Sequence, residues 1–501
     1  MPAAAHIAID LGAESGRVVV GVLEDGRVTV TEAHRFETPS ITSPGGVHWD
    51  VPGMWRSILE GLSRSAAWAH ERGVVVRSVG VDTWGVDFAL IDRAGELLGL
   101  PHCYRDPRHR EAFDRVSHAL NVDDIYRTTG AQPMAINSLF QLEGLSRRAP
   151  EMLERADRLL FMPDLFHHLL ADRAGKPSLN EATIASTSQM VDPVTGAWAL
   201  ELLDQLRLPR HMLGEIAPPG TVVGPLHREI VERTNLPRDV LVVMPAGHDT
   251  ACAVAAAPAP AGVTAWAYLS SGTWSLLGVE RNSPLLSGQA RAAGFTNERG
   301  VGTGRRREDA IRFHRNLVGL WLVQECRRQW EREGRHFAYD QLTRLAEEAA
   351  PFHALIDINE PALFEPGDMP GRIAELARSS GQPTPRTPGE VVRTCLASLA
   401  REYRRTVDQV ESLTGERIDV IHLVGGGGRN RLLNQMTAEA LGRPVVVGPH
   451  EATAVGNILV QAMAMGEVSG LADVRHMVAR SFDPITYHPR EVKPAPGEPS
   501  A

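Results

Sequence analysis

Short apolar runs alternate with amphipathic segments along the chain, a pattern that predicts strands and helices arranged in α/β layers. Between Asp50 and Gly73, apolar side chains recur at helical spacing and Pro52 suits the first turn, so a helix is predicted there. The uncharged segment Ala251–Leu269 approaches the length of a membrane span. Its prolines and many alanines instead predict a buried helix, a break and then a strand.

The clearest helix signal comes late in the chain. A T-x-x-E sequence places Thr387 and Glu390 as a capping box, with Pro388 at the first helical position. An apolar stripe follows at helical spacing, and Gly415 stands where the stripe ends. The sequence therefore predicts one long amphipathic helix between Thr387 and Gly415.

Two stretches about half a chain apart share the order apolar strand, small polar turn, apolar strand. They are IAIDLGAESGRVVVGVLEDG from Ile7 and WAYLSSGTWSLLGVERN from Trp266. Each predicts a β-hairpin whose turn exposes backbone N–H groups, which suits an anion. An ordinary structural hairpin is the alternative at each position. The pairing favours two lobes that grip one phosphate chain between them.

Length and charge limit the possible classes of protein. A chain of 501 residues favours two large domains over one compact core. The net charge of −9 argues against a nucleic-acid partner, which needs a basic face. The four cysteines lie far apart in sequence, which suggests neither a metal site nor a redox pair. The N-terminal sequence lacks signal-peptide features, and with no membrane partner predicted, a cytoplasmic location is expected.

The sequence VGVDTWGVDF places Asp82, Trp84, Gly85 and Asp87 in one turn after a strand. An aromatic face with acidic hydrogen-bond acceptors suits a small polyhydroxylated ligand such as a sugar. A turn with solvated aspartates is the alternative, because turns favour Asp and Gly. The turn alone leaves both interpretations open.

Asp10 ends the first predicted strand at the mouth of the first hairpin turn. A carboxylate there suits Mg²⁺, which prefers hard oxygen ligands. Ser15, Gly16 and Arg17 offer a hydroxyl, an amide and a guanidinium group to phosphate oxygens. A plain hairpin with an ordinary aspartate is the alternative.

In MPAGHDTACAV, Asp249 follows an apolar strand and begins a predicted helix. It is either a helix cap or a general base that takes a proton from a substrate hydroxyl. His248 either packs or orients its neighbour. Further on, a strand runs into Gly425–Gly428, where the backbone can approach a flat ring or a phosphate closely. The chain has neither a Walker A motif nor a dinucleotide fingerprint, so phosphate binding would need another device.

Seven of these stretches occur together in an order that resembles the rhamnulokinase branch of the FGGY carbohydrate kinases. They are IDLGAESGR, VGVDTWGVDF, YRDPR, MPAGHDTA, YLSSGTWSL, NLVGLWLVQE and VGGGGRNRLLNQ. The resemblance covers nearly the whole chain. It implies a two-lobed, actin-like ATPase fold of the α/β class (ribonuclease H-like), with the active site in the interdomain cleft. It also implies phosphorylation of L-rhamnulose at O1 by ATP with Mg²⁺, and the turn at Gly85 would then be a wall of the ketose site.

Site residues carry over from this resemblance position by position. Asp249 would be the proton acceptor and Asp10 would help to hold Mg²⁺. The implied sugar contacts are Gly85, His248, Asp249, Thr250 and Asn316. The implied ATP contacts are Ala13, Glu14, Ser15, Gly16, Arg17, Thr273, Gln324 and Gly426.

The predicted domains are an N-terminal sugar-side domain at 1–244, a C-terminal nucleotide-side domain at 245–482 and a Pro-rich tail at 483–501. One region departs from the family pattern, because the loop between Arg299 and Arg315 is longer and Arg315 stands where Lys is usual. A surface insertion is the simplest interpretation of that loop. A kinase for another ketose or polyol (xylulose, fuculose, glycerol) and a catalytically silent sugar sensor are the alternative functions.

Overall fold

The computed structural model describes residues 3–172, 177–259, 265–302, 310–350 and 352–490. The centre of the extended loop at Arg299–Arg315 and the end of the tail at 483–501 lie outside the described residues. The chain divides into two compact units. The first takes the described residues of Met1–Gly262, Val279–Arg315 and Glu451–Asp483, and the second takes those of Val263–Gly278, Asn316–His450 and Pro484–Ala501. The predicted domain boundaries after residues 244 and 482 stay predictions.

The strands are short and are spread over the whole chain. They are β1 (Ala4–Leu11), β2 (Ser15–Glu24), β3 (Arg27–Glu37), β4 (Ser40–Ser43), β5 (Gly46–Trp49), β6 (Val75–Thr83), β7 (Phe88–Ile91), β8 (Arg158–Phe161), β9 (Leu179–Glu181), β10 (Glu215–Ala217), β11 (Thr221–Pro225), β12 (Leu241–Met244), β13 (Trp266–Ser271), β14 (Trp274–Arg281), β15 (Phe295–Arg299), β16 (Ile311–Val318), β17 (Val420–Val424), β18 (Val445–Val447) and β19 (Ile485–Tyr487).

The helices alternate with these strands, as the apolar pattern predicts. They are α1 (Val51–Arg72), α2 (Arg108–Ala119), α3 (Val122–Thr129), α4 (Ser138–Arg148), α5 (Pro150–Arg155), α6 (Met162–Leu170), α7 (Ala182–Ala185), α8 (Leu200–Gln205), α9 (Arg228–Thr234), α10 (Asp249–Ala255), α11 (Gly288–Ala292), α12 (Trp321–Arg332), α13 (Tyr339–Glu348), α14 (Met369–Ser379), α15 (Pro388–Thr414), α16 (Arg431–Leu441), α17 (Ala452–Ala464) and α18 (Leu471–Ser481).

Each unit is built on a mixed sheet. In the first unit the strand order is β11-β12-β6-β1-β2-β3. Strand β1 pairs with β2 antiparallel and with β6 parallel, and β6 also pairs with β12 parallel. In the second unit, β13 pairs with β14 antiparallel and with β17 parallel, and β18 and β19 follow. Both predicted hairpins are therefore present, and each lies next to a parallel strand pair.

The two helices predicted from the sequence are confirmed. Asp50 caps α1 by accepting a hydrogen bond from the Gly53 N–H at 3.0 Å, and Gly73 ends the helix with φ 64°. Helix α15 has the predicted capping box at Thr387, and Gly415 ends it with φ 73°. These ends follow local rules of helix capping, which is why the sequence locates them well.

Helix α17 packs closely on α10 within the first unit. The contact depends on Gly456, because a Cβ atom at that position would clash with the Cys252 carbonyl. Glycine thus allows two backbones to approach more closely than any other residue would permit. This approach brings the polar residues of α17 beneath the strands that end at the candidate site.

The four cysteines are free and buried in the structure. The thiol of Cys326 on α12 lies in hydrogen-bonding contact with Cys395 on α15, which their distance in sequence concealed. Burial, and the contact with Cys395, raise the pKa of Cys326 well above its usual value. None of the described helices is both long and apolar enough to cross a membrane.

Candidate functional site

The residues predicted to form the site are found in both compact units. The first unit holds Asp10, Ala13, Glu14, Ser15, Gly16, Arg17, Gly85, His248, Asp249 and Thr250. The second unit holds Thr273, Asn316, Gln324 and Gly426. Asn316 therefore belongs to a different unit from the other predicted sugar contacts, and its role stays a prediction.

The first hairpin turn joins β1 and β2. The Gly12 N–H donates to the Ser15 carbonyl at 3.0 Å and closes the turn. Asp10 and Arg17 face each other across the two strands, and Arg17 Nε and Nη2 donate to Asp10 Oδ2 at 2.8 and 2.6 Å. Arg17 also pairs with Glu451. The guanidinium is thus engaged by two carboxylates of the protein, and its contact with a phosphate stays a prediction.

Asp82 lies beside Asp10, because β1 and β6 pair in parallel with these two residues in register. The Asp82 side chain is buried, and Asn457 Nδ2 on α17 donates to its Oδ2 at 2.6 Å. Its Oδ1 has no hydrogen-bond partner among the described residues. Burial raises the pKa of Asp82 well above its usual value, and Asp10 adds to the rise. We call Asp10 and Asp82 the acidic pair.

A buried chain of hydrogen bonds holds Asn457 in place. Gln461 Nε2 donates to Asn457 Oδ1 at 2.6 Å, and Ser78 Oγ donates to Gln461 Oε1 at 2.6 Å. His6 Nδ1 lies 2.7 Å from Ser78 Oγ, and His6 Nε2 lies 3.0 Å from Glu467 Oε2. Helix α17 is therefore fixed against β1 and β6 by polar contacts, and its Asn457 holds Asp82.

Asp249 is the first residue of α10, and its side chain is 32% exposed. The N–H and the Oγ1 of Thr250 both donate to Asp249 Oδ1. His248 Nε2 lies 3.4 Å from the same oxygen. Burial raises the pKa of the Asp249 carboxyl, His248 opposes the rise and Asp10 adds to it. Oδ1 of this carboxylate is thus held by the protein, whereas Oδ2 takes part in none of these contacts.

His248 belongs to a buried charge cluster that sequence reasoning missed. Its Nδ1 lies 3.0 Å from Glu298 Oε2 and 3.0 Å from Arg312 Nη2, and Arg312 Nη2 donates to Glu298 Oε2 at 2.8 Å. Glu298 and Arg312 are opposite each other in the antiparallel pair of β15 and β16. The sequence did contain a pattern that could have indicated this cluster. Arg312 and His314 alternate with apolar residues, so both side chains lie on one face of a strand.

The turn after β6 is tightly held. Val86 has φ 69°, which is strained for a β-branched residue. Its N–H donates to Thr187 Oγ1 at 3.0 Å, and Ser138 Oγ donates to its carbonyl. A Cβ atom at Gly85 would lie 3.3 Å from the Thr187 side chain. Such strain persists only where the surrounding structure enforces it, and it is typical of binding sites.

Asp87 is the centre of this turn rather than a surface acceptor. It is buried, and its Oδ2 accepts hydrogen bonds from Trp49 Nε1 at 2.6 Å and from Trp84 Nε1 at 2.9 Å. Gln141 Nε2 donates to its Oδ1 at 2.8 Å. The rings of Trp49 and Trp84 pack with centroids 4.1 Å apart. The interpretation of Asp87 as a solvated turn residue is therefore wrong, and the structure shows that its acceptors are used inside the protein.

Burial raises the pKa of Asp87 to about 6, against the hydrogen bonds from Gln141 and the two indoles. The folded protein therefore holds this proton more tightly than the unfolded chain does. The resulting stabilisation is complete below about pH 4 and is lost as the pH rises through about 6.

Relative to Asp87→Asn, the wild-type free energy of unfolding should fall by about 3 kcal/mol between pH 4 and pH 7.5, since two pKa units correspond to about that energy. Urea unfolding followed by tryptophan fluorescence measures the difference. Asp473→Asn, at an exposed position on α18, is the control and should show no such trend. A pH-independent difference for Asp87→Asn would contradict this assignment.

The second unit places three predicted ATP contacts on neighbouring elements. Gln324 Nε2 on α12 donates to Thr273 Oγ1 at 3.2 Å, and the Gly319 N–H donates to the Thr273 carbonyl at 3.1 Å. Thr273 lies in the turn between β13 and β14. Strand β17, the parallel neighbour of β13, runs directly into Gly425 and Gly426. The second hairpin turn and the glycine run therefore lie at one end of the same sheet.

The glycines of this run differ in the space around them. Gly425 has φ 91°, and a Cβ atom there would lie 2.9 Å from the Ser271 carbonyl oxygen. A Cβ atom at Gly427 would clash with Ser271 Oγ, whereas one at Gly426 would meet no atom within 4 Å. Gly426 thus presents open backbone, as a close approach to a ligand requires.

Relatives with assigned names match the chain along nearly its full length. A protein of Bacteroides thetaiotaomicron named rhamnulokinase is 40% identical over 97% of this chain and 96% of its own length. A protein of the same name from Bacillus subtilis is 35% identical over 97% of this chain and 96% of its own length. A third, from Pectobacterium atrosepticum, is 38% identical over 97% and 93%.

Solved structures share the fold at low sequence identity. A gluconate kinase from Lactobacillus acidophilus superposes with a TM-score of 0.78 at 14% identity, over 97% of this chain and 94% of that one. A glycerol kinase from Plasmodium falciparum does so with a TM-score of 0.78 at 15% identity, over 98% and 94%. The predicted two-domain α/β kinase fold is thus confirmed.

The family is shown by the two halves of the chain separately. Residues 5–256 match the N-terminal domain of the FGGY family of carbohydrate kinases, and residues 267–465 match its C-terminal domain. The first matched range contains the first hairpin and Asp249, and the second contains the turn of the second hairpin and the glycine run. This chain belongs to the FGGY family of carbohydrate kinases.

Proposed function

We propose that the chain is a rhamnulokinase, which transfers the γ-phosphoryl group of ATP to O1 of L-rhamnulose and releases L-rhamnulose 1-phosphate and ADP. The observation that carries the choice of sugar is the 34–40% identity, over nearly the whole chain, to relatives named rhamnulokinase. The position of Asp249 supports the reaction type. Its carboxylate starts a helix, is partly exposed, and is held by the described residues through one oxygen, Oδ1.

In this proposal Asp249 Oδ2 accepts the proton of the O1 hydroxyl as O1 attacks the γ-phosphorus atom. As the new bond to O1 forms, the bond between that phosphorus atom and the bridging oxygen breaks, and ADP leaves. A positioned general base contributes about 10²–10⁴-fold to a rate. Gly85, His248, Thr250 and Asn316 are proposed to position the sugar, and Ala13–Arg17, Thr273, Gln324 and Gly426 to position ATP.

The acidic pair has the donor chemistry that Mg²⁺ prefers. Asp82 Oδ1 is a buried oxygen without a hydrogen-bond partner in the described part of the chain, and Asp10 is its neighbour in register. No group of three or more His, Cys, Asp or Glu side chains among the described residues is arranged to hold a metal ion by itself. This agrees with Mg²⁺ that arrives on ATP, since such an ion needs only one or two carboxylates. Bound there, Mg²⁺ would supply charge neutralisation at the phosphates.

We extend the proposal to partners and location. The ligands are ATP and one small ketose, no nucleic acid or membrane takes part, and the site of action is the cytoplasm. The boundary between the sugar-side domain (1–244) and the nucleotide-side domain (245–482) is proposed to lie between residues 244 and 245.

The test of function is sugar-dependent ADP release with Mg-ATP, measured in a coupled assay. The panel is L-rhamnulose, L-fuculose, D- and L-xylulose, D- and L-ribulose and glycerol. We expect kcat/KM for L-rhamnulose to exceed that of every other substrate by about tenfold or more, which corresponds to about 1.4 kcal/mol of transition-state binding. A higher value for another sugar would overturn the choice of substrate. ADP release that no sugar stimulates would favour a silent sensor instead.

A further inference from the structure

The imidazole of His248 lies between two carboxylates, and only one of them belongs to the proposed reaction. Its Nε2 lies 3.4 Å from Asp249 Oδ1, and its Nδ1 lies 3.0 Å from Glu298 Oε2. Glu298 is 6% exposed and Arg312 is fully buried. A buried carboxylate is costly unless charged partners stabilise it. The arrangement therefore needs a reason beyond packing.

Strand pairing makes the second carboxylate rigid. Glu298 on β15 faces Arg312 on β16 directly, and Arg312 Nη2 donates to Glu298 Oε2 at 2.8 Å. Arg312 Nε also donates to the Arg299 carbonyl at 3.0 Å, which fixes the guanidinium to the backbone of β15. His314 Nε2 lies 3.5 Å from Glu298 Oε1. Both oxygens of Glu298 are thus defined by groups on the neighbouring strand.

The ring orientation follows from these neighbours. Because Nε2 faces an acceptor, Asp249 Oδ1, that nitrogen is expected to carry a hydrogen. Nδ1 then either accepts from Arg312 Nη2, in the neutral ring, or donates to Glu298 Oε2, in the imidazolium. In both protonation states the Nε2 edge of the ring points to Asp249.

We propose that Glu298, held by Arg312, is a positioning residue that fixes His248 against Asp249 Oδ1 and so presents Asp249 Oδ2 to the attacking hydroxyl. This inference rests on the proposed kinase reaction. Glu298 touches neither substrate and acts only through His248. Displacement of a reacting group by about 1 Å can cost about 10²-fold in rate, so a rigid second carboxylate has a clear use.

The charged groups around these residues set the expected pH dependence. Burial opposes ionisation of Glu298, but His314, His248 and Arg312 outweigh it and hold its pKa well below the usual range. The carboxylate is therefore negative at neutral pH and lies within reach of His248 Nδ1. Burial raises the pKa of Asp249, and the charge of His248 opposes that rise.

Three further carboxylates face this region from other elements. Asp10 on β1 and Asp82 on β6 interact with Asp249 and its neighbours through their charges. Glu181 on β9 accepts a hydrogen bond from the Gly247 N–H at 2.8 Å, one residue before His248. These groups are unchanged in the variants below, so a difference between variants and wild type isolates Glu298.

The first variant is Glu298→Gln, which keeps the size of the side chain and removes its charge. We expect kcat/KM for the sugar to fall about 10- to 100-fold, while the KM for ATP stays within about twofold. The acid limb of the pH profile should move up by at least about 0.5 unit, because His248 is no longer held against Asp249 Oδ1 and opposes the rise in the pKa of Asp249 less. An unchanged limb and kcat/KM would overturn the proposal.

The matched control is Glu143→Gln. Glu143 is also a buried carboxylate of the first unit, 4% exposed, and Arg115 Nη2 donates to it at 2.7 Å. If loss of a buried charge pair alone explained the effect, this control would show the same limb shift. We expect its pH profile to match wild type. A further variant, Glu298→Asp, retains the charge but shortens the side chain. The acid limb should stay near its wild-type position, and kcat/KM should fall less than in Glu298→Gln. A wild-type kcat/KM in Glu298→Asp would also overturn the proposal.

A readout without turnover separates this inference from the proposed function. Imidazole ¹⁵N chemical shifts of histidine-labelled protein, measured at one fixed pH, report the hydrogen bonds of the His248 ring. Its signals are assigned as those lost in His248→Gln. We expect Glu298→Gln to move the Nδ1 and Nε2 signals of His248, because Nδ1 loses the carboxylate oxygen that lies 3.0 Å away. Unchanged signals in the variant would overturn the positioning role, even if the sugar panel showed no kinase activity. Moved signals with an inactive wild type would overturn the function alone.

Discussion

Asp249→Asn should lower kcat by about 10²–10⁴-fold and leave the structure intact. The amide keeps an oxygen that accepts from the N–H and Oγ1 of Thr250, so α10 should begin as before. What the amide lacks is an oxygen basic enough to take the proton of the attacking hydroxyl. Removal of the charge also relieves repulsion from Asp10, so the thermal midpoint should stay equal or rise.

The measurement is sugar-dependent ADP release at saturating Mg-ATP, alongside ATP binding by calorimetry. Binding of ATP should be unchanged, since the proposed role concerns proton transfer alone. Asp473→Asn, an exposed aspartate on α18, is the control and should have wild-type kcat. If Asp249→Asn turned over at a near-normal rate, the general base would have to be another group. If it lost ATP binding instead, Asp249 would act on the nucleotide.

Much of the fold could be predicted, because its signals are local. Helices α1 and α15 end where Gly73 and Gly415 adopt left-handed backbone, and such stops depend on a few adjacent residues. The hairpins at β1–β2 and β13–β14 follow from alternating apolar residues with a small polar turn between them. The order of strands in each sheet was harder to predict from the sequence, because parallel pairs such as β1 and β6 join residues that are far apart in sequence.

The sequence indicates candidate site residues where one motif contains them, but not where the register of two strands brings them together. Asp249 is a candidate because a strand, a short loop and a helix follow one another around it, and its role stays a prediction. Glu298 and Arg312 were missed because they meet only across β15 and β16. For Asp87 the sequence left two interpretations open, and neither describes its buried position. One hydrogen-bond partner, Trp84, is close in sequence, but Trp49 and Gln141 come from distant segments, so the internal use of its acceptors could not be predicted.

The surroundings of the Asp82 side chain also depend on residues that are distant in sequence. Asn457 reaches it from α17, and α17 comes close enough because Gly456 lacks a side chain. The sequence near either residue gives no indication that they meet. The acidic pair is therefore a product of the tertiary fold, whereas the turn that carries Asp10 and Arg17 is a product of local sequence.

Gly426→Val should raise the KM for ATP by about 10- to 100-fold, equivalent to about 1.4–2.7 kcal/mol of binding. The KM for the sugar at saturating ATP should change by less than about twofold. The reason is steric, because a Cβ atom at Gly426 meets no protein atom within 4 Å and the new side chain would fill space left for a ligand. The measurement is initial rates of ADP release with ATP and sugar varied in turn.

The comparison with neighbouring glycines makes this prediction specific. At Gly288 on α11 a Cβ atom also meets nothing within 4 Å, so Gly288→Val is the matched control and should leave both KM values unchanged. At Gly427 a Cβ atom would clash with Ser271, so Gly427→Ala should lower the thermal midpoint as well as activity. A stable Gly426→Val protein with an unchanged KM for ATP would show that the open backbone at this position faces solvent. A raised KM for ATP with an unchanged thermal midpoint would place the nucleotide against Gly426. In that case the new side chain would leave the folded protein undisturbed and would clash only with bound ATP.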